Sequence, residues 1–109
     1  MELSNWRSQL RKGFVEFSLL RLLRLHERLY GLEILERLNL AGIEIGEGTL
    51  YPLLSRLVRD KLLLTQWEIK QASGHPRKYY KISAKGGETL ARMSSEWESL
   101  VRSIKDLEK

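Results

Sequence analysis

The sequence predicts a mainly α fold with a small β-hairpin, in the order helix, helix, helix, strand, strand, helix. Three observations carry this. Apolar residues recur at three- and four-residue spacing through most of the chain, the period shifts toward alternation over two short stretches between positions 63 and 82, and glycines punctuate the joints. Length agrees: 109 residues fit one domain, which buries about 65% of the surface its unfolded chain exposes.

The first helix is expected over 6–25, where Trp6, Leu10, Phe14, Phe17, Leu20 and Leu23 form a stripe that Val15, Leu19 and Leu22 widen. A stripe this broad implies enclosure by neighbours, with Arg21 and Arg24 snorkelling outward. A second helix over 32–40 keeps Ile34, Leu35 and Leu38 on one side and stops at Gly42, which can adopt the left-handed conformation past a helix end. Positions 43–48 read as a connector with room for a brief strand. Thr49 then reads as the N-cap of a third helix running to position 61, which puts Pro52 in the first turn, where its missing N–H costs least. That helix buries Leu50, Leu53, Leu54, Leu57 and Val58 and turns Thr49, Tyr51, Pro52, Ser55, Arg56 and Arg59 outward.

Two strands follow, over 63–70 and 77–82, joined by a loop containing Gly74, His75 and Pro76. Alternation places Tyr80 with Ile82 on the packed face and Tyr79 with Arg77 and Lys81 on the other, and Trp67 of the first strand is expected in the core. Ser83 caps the last helix, although Gly86 and Gly87 lower its local propensity. Leu90, Met93, Trp97, Leu100, Ile104 and Leu107 are spaced 3, 4, 3, 4, 3, a heptad seam that no later element covers. A second copy of the chain is the expected lid. The expected division is residues 1–82 as one domain, whose N-terminal helix also joins the dimer interface, and residues 83–109 as a C-terminal dimerisation helix.

Composition excludes several function classes. There is no cysteine, so no disulfide framework, thiol nucleophile or thiolate metal site, and His26 and His75 stand too far apart in unlike contexts to suggest a metal or heme site. Without a glycine-rich phosphate loop or a recognisable nucleophile and base, an enzyme is not expected, nor is a cofactor. The N-terminus lacks the order of a secretory signal and no apolar run is long enough to cross a membrane, so the expected location is cytoplasmic. Charge is the positive signal. Of a net +5, the whole excess lies between Ile69 and Gly87, which hold Lys70, Arg77, Lys78, Lys81 and Lys85 and no acid, while the remainder carries 14 basic and 14 acidic side chains. A local cationic hairpin suits a polyanion.

A helix pair followed at once by a basic hairpin is the arrangement of a winged helix-turn-helix, in which the second helix of the pair enters the major groove and the hairpin meets the adjacent backbone or minor groove. The residues carry a closer likeness. Gly48-Thr49-Leu50-Tyr51-Pro52-Leu53-Leu54-Ser55-Arg56-Leu57, then Lys61-Leu62-Leu63, then Gly74-His75-Pro76-Arg77-Lys78-Tyr79-Tyr80-Lys81-Ile82-Ser83, with Tyr30-Gly31-Leu32-Glu33-Ile34 upstream, resemble the PadR family of bacterial transcriptional regulators over roughly 15–107. The resemblance implies a homodimeric winged-helix repressor that releases its operator when a small, often aromatic compound binds, or in some members by routes not tied to a ligand; two-fold symmetry makes the expected operator palindromic. It places Thr49, Tyr51 and Pro52 at the start of the recognition helix and Arg77, Lys78, Tyr79 and Tyr80 on the strand leaving the wing.

The residues leave some roles open. Arg56 suits a phosphate, Tyr51 a base edge or a packing position beside the wing, and His75 a pH-dependent charge or an idle loop position. With Ser55, Lys70, Arg77, Lys78, Tyr79 and Lys81 they form the expected DNA-contacting set. Trp97 either lines a flat slot at the dimer centre or fills an ordinary seam, with Trp6, Phe14, Met93, Leu100 and Ile104 as further wall residues. A second function keeps the fold and drops the DNA: the basic hairpin would then bind an acidic protein surface.

Overall fold

A computed structural model describes residues 2–69 and 74–109. Its deepest side chains are leucines and one isoleucine drawn from four elements: Leu19, Leu20 and Leu23 of α1 (Ser4–Leu25), Ile34 of α2 (Gly31–Leu40), Leu50, Leu54 and Leu57 of α3 (Glu47–Arg59), and Leu63 of β2 (Leu63–Ile69). In α1 and α3 these residues stand three or four apart, so the periodicity that defines those helices also defines the core. A two-residue β1 (Leu29–Tyr30), β3 (Pro76–Ile82) and α4 (Ala84–Leu107) complete the fold.

The mainly α architecture with a β-hairpin is as expected, but the sheet has a third strand. Its antiparallel order is β1-β3-β2, with Leu29 opposite Tyr80, Tyr30 opposite Tyr79, and Trp67 opposite Lys78. A two-residue strand is too short to show a period, which is why the sequence hides it. It has a large effect on β3. As the central strand, β3 is paired along both edges, and both Tyr79 and Tyr80 are buried, whereas alternation alone assigns only Tyr80 to the interior. Trp67 departs in the other direction: at 63% exposed it lies outside the core. It sits on edge strand β2, of which only Leu63 is buried, in the part of the hairpin that projects past the helices.

Local chemistry explains the joints. At the end of α2 the Gly42 N–H donates to the Asn39 carbonyl at 3.0 Å and the Ile43 N–H to the Leu38 carbonyl at 2.9 Å, with Gly42 at φ +89° as anticipated. The connector to α3 forms no strand. The Asn39 side chain holds it instead, its amide N donating to the Leu35 carbonyl at 2.8 Å and the Ile45 carbonyl at 3.2 Å, and its Oδ1 accepting from the Ile45 N–H at 3.1 Å. Helix α3 starts two residues earlier than Thr49, with Gly46 in the cap position and no side-chain cap. Thr49 is therefore in the first turn and Pro52 is the sixth helical residue, which leaves the exposed Gly48 carbonyl to water.

Ser83 caps α4 as expected: its Oγ accepts from the Gly86 N–H at 2.9 Å and donates to the Lys61 carbonyl at 2.7 Å. Gly86 has a packing reason. A Cβ there would stand 2.1 Å from the Leu62 carbonyl oxygen and 2.8 Å from Ile82 Cγ1, so only glycine lets α4 start against the α3–β2 link. From that anchor α4 runs back along α1, and Trp97 meets Phe14 and Phe17 with ring centroids 5.9 and 6.0 Å away. Replacing Gly86→Ala is expected to cost ~2 kcal/mol or more, because the clash is with backbone. Gly48→Ala, whose Cβ meets nothing within 4 Å, should stay within about 0.5 kcal/mol of wild type. Denaturant midpoints at unchanged m-value compare the two.

Candidate nucleic-acid interface

The outward face of α3 begins the site. Thr49, Pro52 and Ser55 are exposed, and nothing on neighbouring elements covers them. Tyr51 is only partly free. Its ring leans across the start of α2, so near that a Cβ at Gly31 would fall 2.6 Å from the phenol oxygen. Its ring packs on the start of α2 while its edge stays at the surface. Arg56 behaves differently from expectation. Its Nη2 pairs with Glu16 of α1 at 3.0 Å, and Asp60 lies 3.9 Å from its Nη1. The hydrogen bond and charge of Glu16 hold this guanidinium still more firmly protonated. At this half-exposed position the bridge orients α1 against α3 more than it stabilises either.

On the hairpin, the face carrying Tyr79 is roofed by aromatic and guanidinium planes. Tyr30 meets Tyr79 edge-on at 5.7 Å, the Arg28 guanidinium lies 4.0 Å above the Tyr79 ring, and Arg77 lies 4.6 Å above Tyr30. Arg28 is fixed in turn by Glu68 and by Gln66 at 3.2 Å. Buried under this roof, the Tyr79 ring faces Tyr30 and Arg28 instead of solvent, which corrects its place among the exposed wing residues. Arg77 remains half-buried over Tyr30. Across the sheet, the Lys78 ammonium sits 5.8 Å from the Trp67 ring and 5.6 Å from Tyr80. Lys81 and His75 are exposed, and Lys70 lies outside the described residues.

The second constellation lies between α1 and α4. Phe14, Met93, Trp97 and Leu100 line an open groove of about 620 Å³ together with Leu10 and Phe17. Leu10 and Phe17 belong to the same α1 stripe: Phe17 is buried as that stripe implies, while Leu10 is exposed at the groove, because spacing cannot say where a stripe leaves the interior. Trp6 and Ile104 are exposed beyond the groove and do not line it. The described residues hold no group of three or more metal-ligating side chains, and no helix among them is long and apolar enough to cross a membrane.

Comparison with known proteins decides what this arrangement belongs to. A profile of the transcriptional regulator PadR-like family matches residues 19–92, which span α2, α3, the hairpin and the joints between them. The chain belongs to the PadR-like family. A PadR-like transcription factor from Bacteroides fragilis is 39% identical, with 95% of this chain and 99% of that chain aligned and a TM-score of 0.78. A PadR family regulator from Eggerthella lenta is 32% identical, with coverage of 96% and 90% and a TM-score of 0.85. One from Bacillus cereus is also 32% identical, with coverage of 91% and 95% and a TM-score of 0.80. The helix pair and hairpin are thus the winged helix of a PadR-like regulator, and regulators of this family bind DNA.

Tyr80 gives a check on the packing beneath this surface. Burial first, and the neighbouring Tyr51 phenol second, push its phenol above the usual tyrosine value. A raised folded value means that the neutral form is favoured in the fold, so this stabilisation is whole below about pH 10 and is lost as pH rises from there. Wild type should therefore lose more stability between pH 9 and pH 11 than Tyr80→Phe, measured as the shift in denaturant midpoint.

Proposed function

We propose that this protein is a homodimeric transcriptional repressor that binds a palindromic operator. The observation that supports dimerisation is the apolar surface left bare along one edge of the chain. Leu3 just before α1, Trp6 and Leu10 of α1, and Leu100, Val101, Ile104 and Leu107 of α4 are exposed, Leu100 and Ile104 at 61% and 60%. A second copy packed on this row would present two α3 helices about 34 Å apart, one turn of duplex.

Thr49, Pro52, Ser55 and the edge of Tyr51 then face the major groove, while Arg77, Lys78, Lys81, His75 and Lys70 serve the phosphates beside the wing. If a dimer neutralises about eight phosphates, log K falls against log salt with a slope of about −7 or steeper. The groove at Trp97 suits a flat apolar or aromatic effector. Such a compound releases DNA only by binding one protomer arrangement better than the other, which alters the spacing of the two reading helices.

Leu64, Trp67 and Ile69, exposed on β2 beside the wing cations, favour a second reading, in which the wing docks on an acidic protein. Anisotropy of a labelled duplex from the protein's own upstream region, titrated at two salt concentrations, separates the readings: binding no tighter than to random duplex rejects the operator. For the dimer, a Leu100→Asp, Ile104→Asp variant should run as a monomer in light scattering and bind the operator about a hundredfold or more weaker, since the second half-site contact becomes bimolecular. A wild-type protomer that scatters as a monomer at micromolar concentration, even with operator present, overturns the proposal.

A further inference from the structure

The first half of α1 carries a cationic face that the wing-centred view of the charge overlooks. Positions 3–15 hold Arg7, Arg11 and Lys12 and no acid. The two faces of this segment have different neighbours: Leu10, Phe14 and Phe17 border the apolar groove with α4, while Ser8, Arg11 and Lys12 border a separate groove of about 600 Å³ with Gly46 and Thr49 at the start of α3. That division follows the helical repeat, since positions 8, 11, 12 and 15 lie on the side away from 10, 13, 14 and 17.

Two further observations give the basic face its direction. Lys12 stands one turn before Glu16, whose bridge to Arg56 fixes α1 on α3, so the backbone carrying Lys12 is set beside the start of the recognition helix. The ion pairs among the described residues are Arg28–Glu68, Arg56–Glu16, Arg56–Asp60 and Lys109–Asp106. Arg11 and Lys12 are in none of them, although Glu44 also borders the groove. Of the cations that line this groove, Arg56 is paired within the fold while Arg11 and Lys12 stand in no ion pair among the described residues.

We propose that the Ser8, Arg11 and Lys12 face of α1 is a third duplex-binding element, gripping the phosphate backbone that flanks the bases met by Thr49. This rests on the operator reading above. Phosphate contacts of this kind add affinity for every sequence alike and steepen the salt dependence without changing base preference.

The test compares R11Q/K12Q with K105Q/K109Q, which removes the same charge from the far end of α4, after thermal unfolding has shown both variants folded. Operator and random duplexes are titrated across a salt series. With two protomers, R11Q/K12Q should lower the salt slope by about 3 to 4, weaken both duplexes by the same factor and lose hydroxyl-radical protection outside the α3 half-sites, while K105Q/K109Q keeps the wild-type slope. If wild type prefers the operator but R11Q/K12Q keeps its slope and footprint, or if both variants lose slope equally, the α1 contact is wrong and the operator reading stands. If wild type does not distinguish operator from random duplex, both proposals fall.

Discussion

Complete burial of Leu19, Leu20 and Leu23 is the constraint on which the rest of the molecule depends. These three residues sink the second half of α1 into the core formed with α2, α3 and the sheet, and each removes enough apolar surface from water to contribute roughly 1.5 to 3 kcal/mol. Because a helix is stiff, fixing its second half aims its first half. The segment from Ser4 to Phe14 is thereby carried out past the core, with Phe14 against Trp97 on one side and Lys12 near Thr49 on the other. One rigid rod joins the packed interior, the apolar groove and the start of the recognition helix.

The described cations divide by what they face. Arg28 and Arg56 are neutralised by Glu68 and Glu16 and spread over an aromatic ring or a neighbouring helix. These pairs are solvent-screened and add little stability, but they set geometry: one pins the wing to the segment before α2, the other pins α1 to α3. Lys78 and Arg77 lie over rings and keep their charge without a carboxylate partner. A net excess that looks confined to one stretch of sequence is spread in space, because acids nearby in the chain need not be neighbours in the fold.

The helices and their order were legible because each carries a stripe of three or more apolar residues at 3.6 spacing, and the joints because Gly42, Ser83 and the basic hairpin each have a local chemical signature. What escaped was set by long-range pairing. Strand β1 has only Leu29 and Tyr30, and its addition buried Tyr79 on the face that alternation assigned to solvent. Trp67 looked like a core residue by type, yet it follows Leu63 along an edge strand that leaves the helical layer. Glu16 is forty positions from Arg56, and nothing in the chain near either one announces the pair. The site was legible as a set of outward residues on α3 and the wing, while the sorting of those residues into covered and open awaited the fold.

Edge strand β2 has one more effect, on how the protein behaves as a solute. Among the described residues its outer side pairs with no other strand, and Leu64, Trp67 and Ile69 stand exposed along it. Such an edge invites strand addition between molecules, and repulsion between the adjoining positive charges is what keeps copies apart. Added electrolyte shortens that repulsion to a few ångströms near 1 M. Salt high enough to weaken phosphate contacts therefore also weakens this guard against clumping, so a concentrated stock is expected to keep best at modest ionic strength.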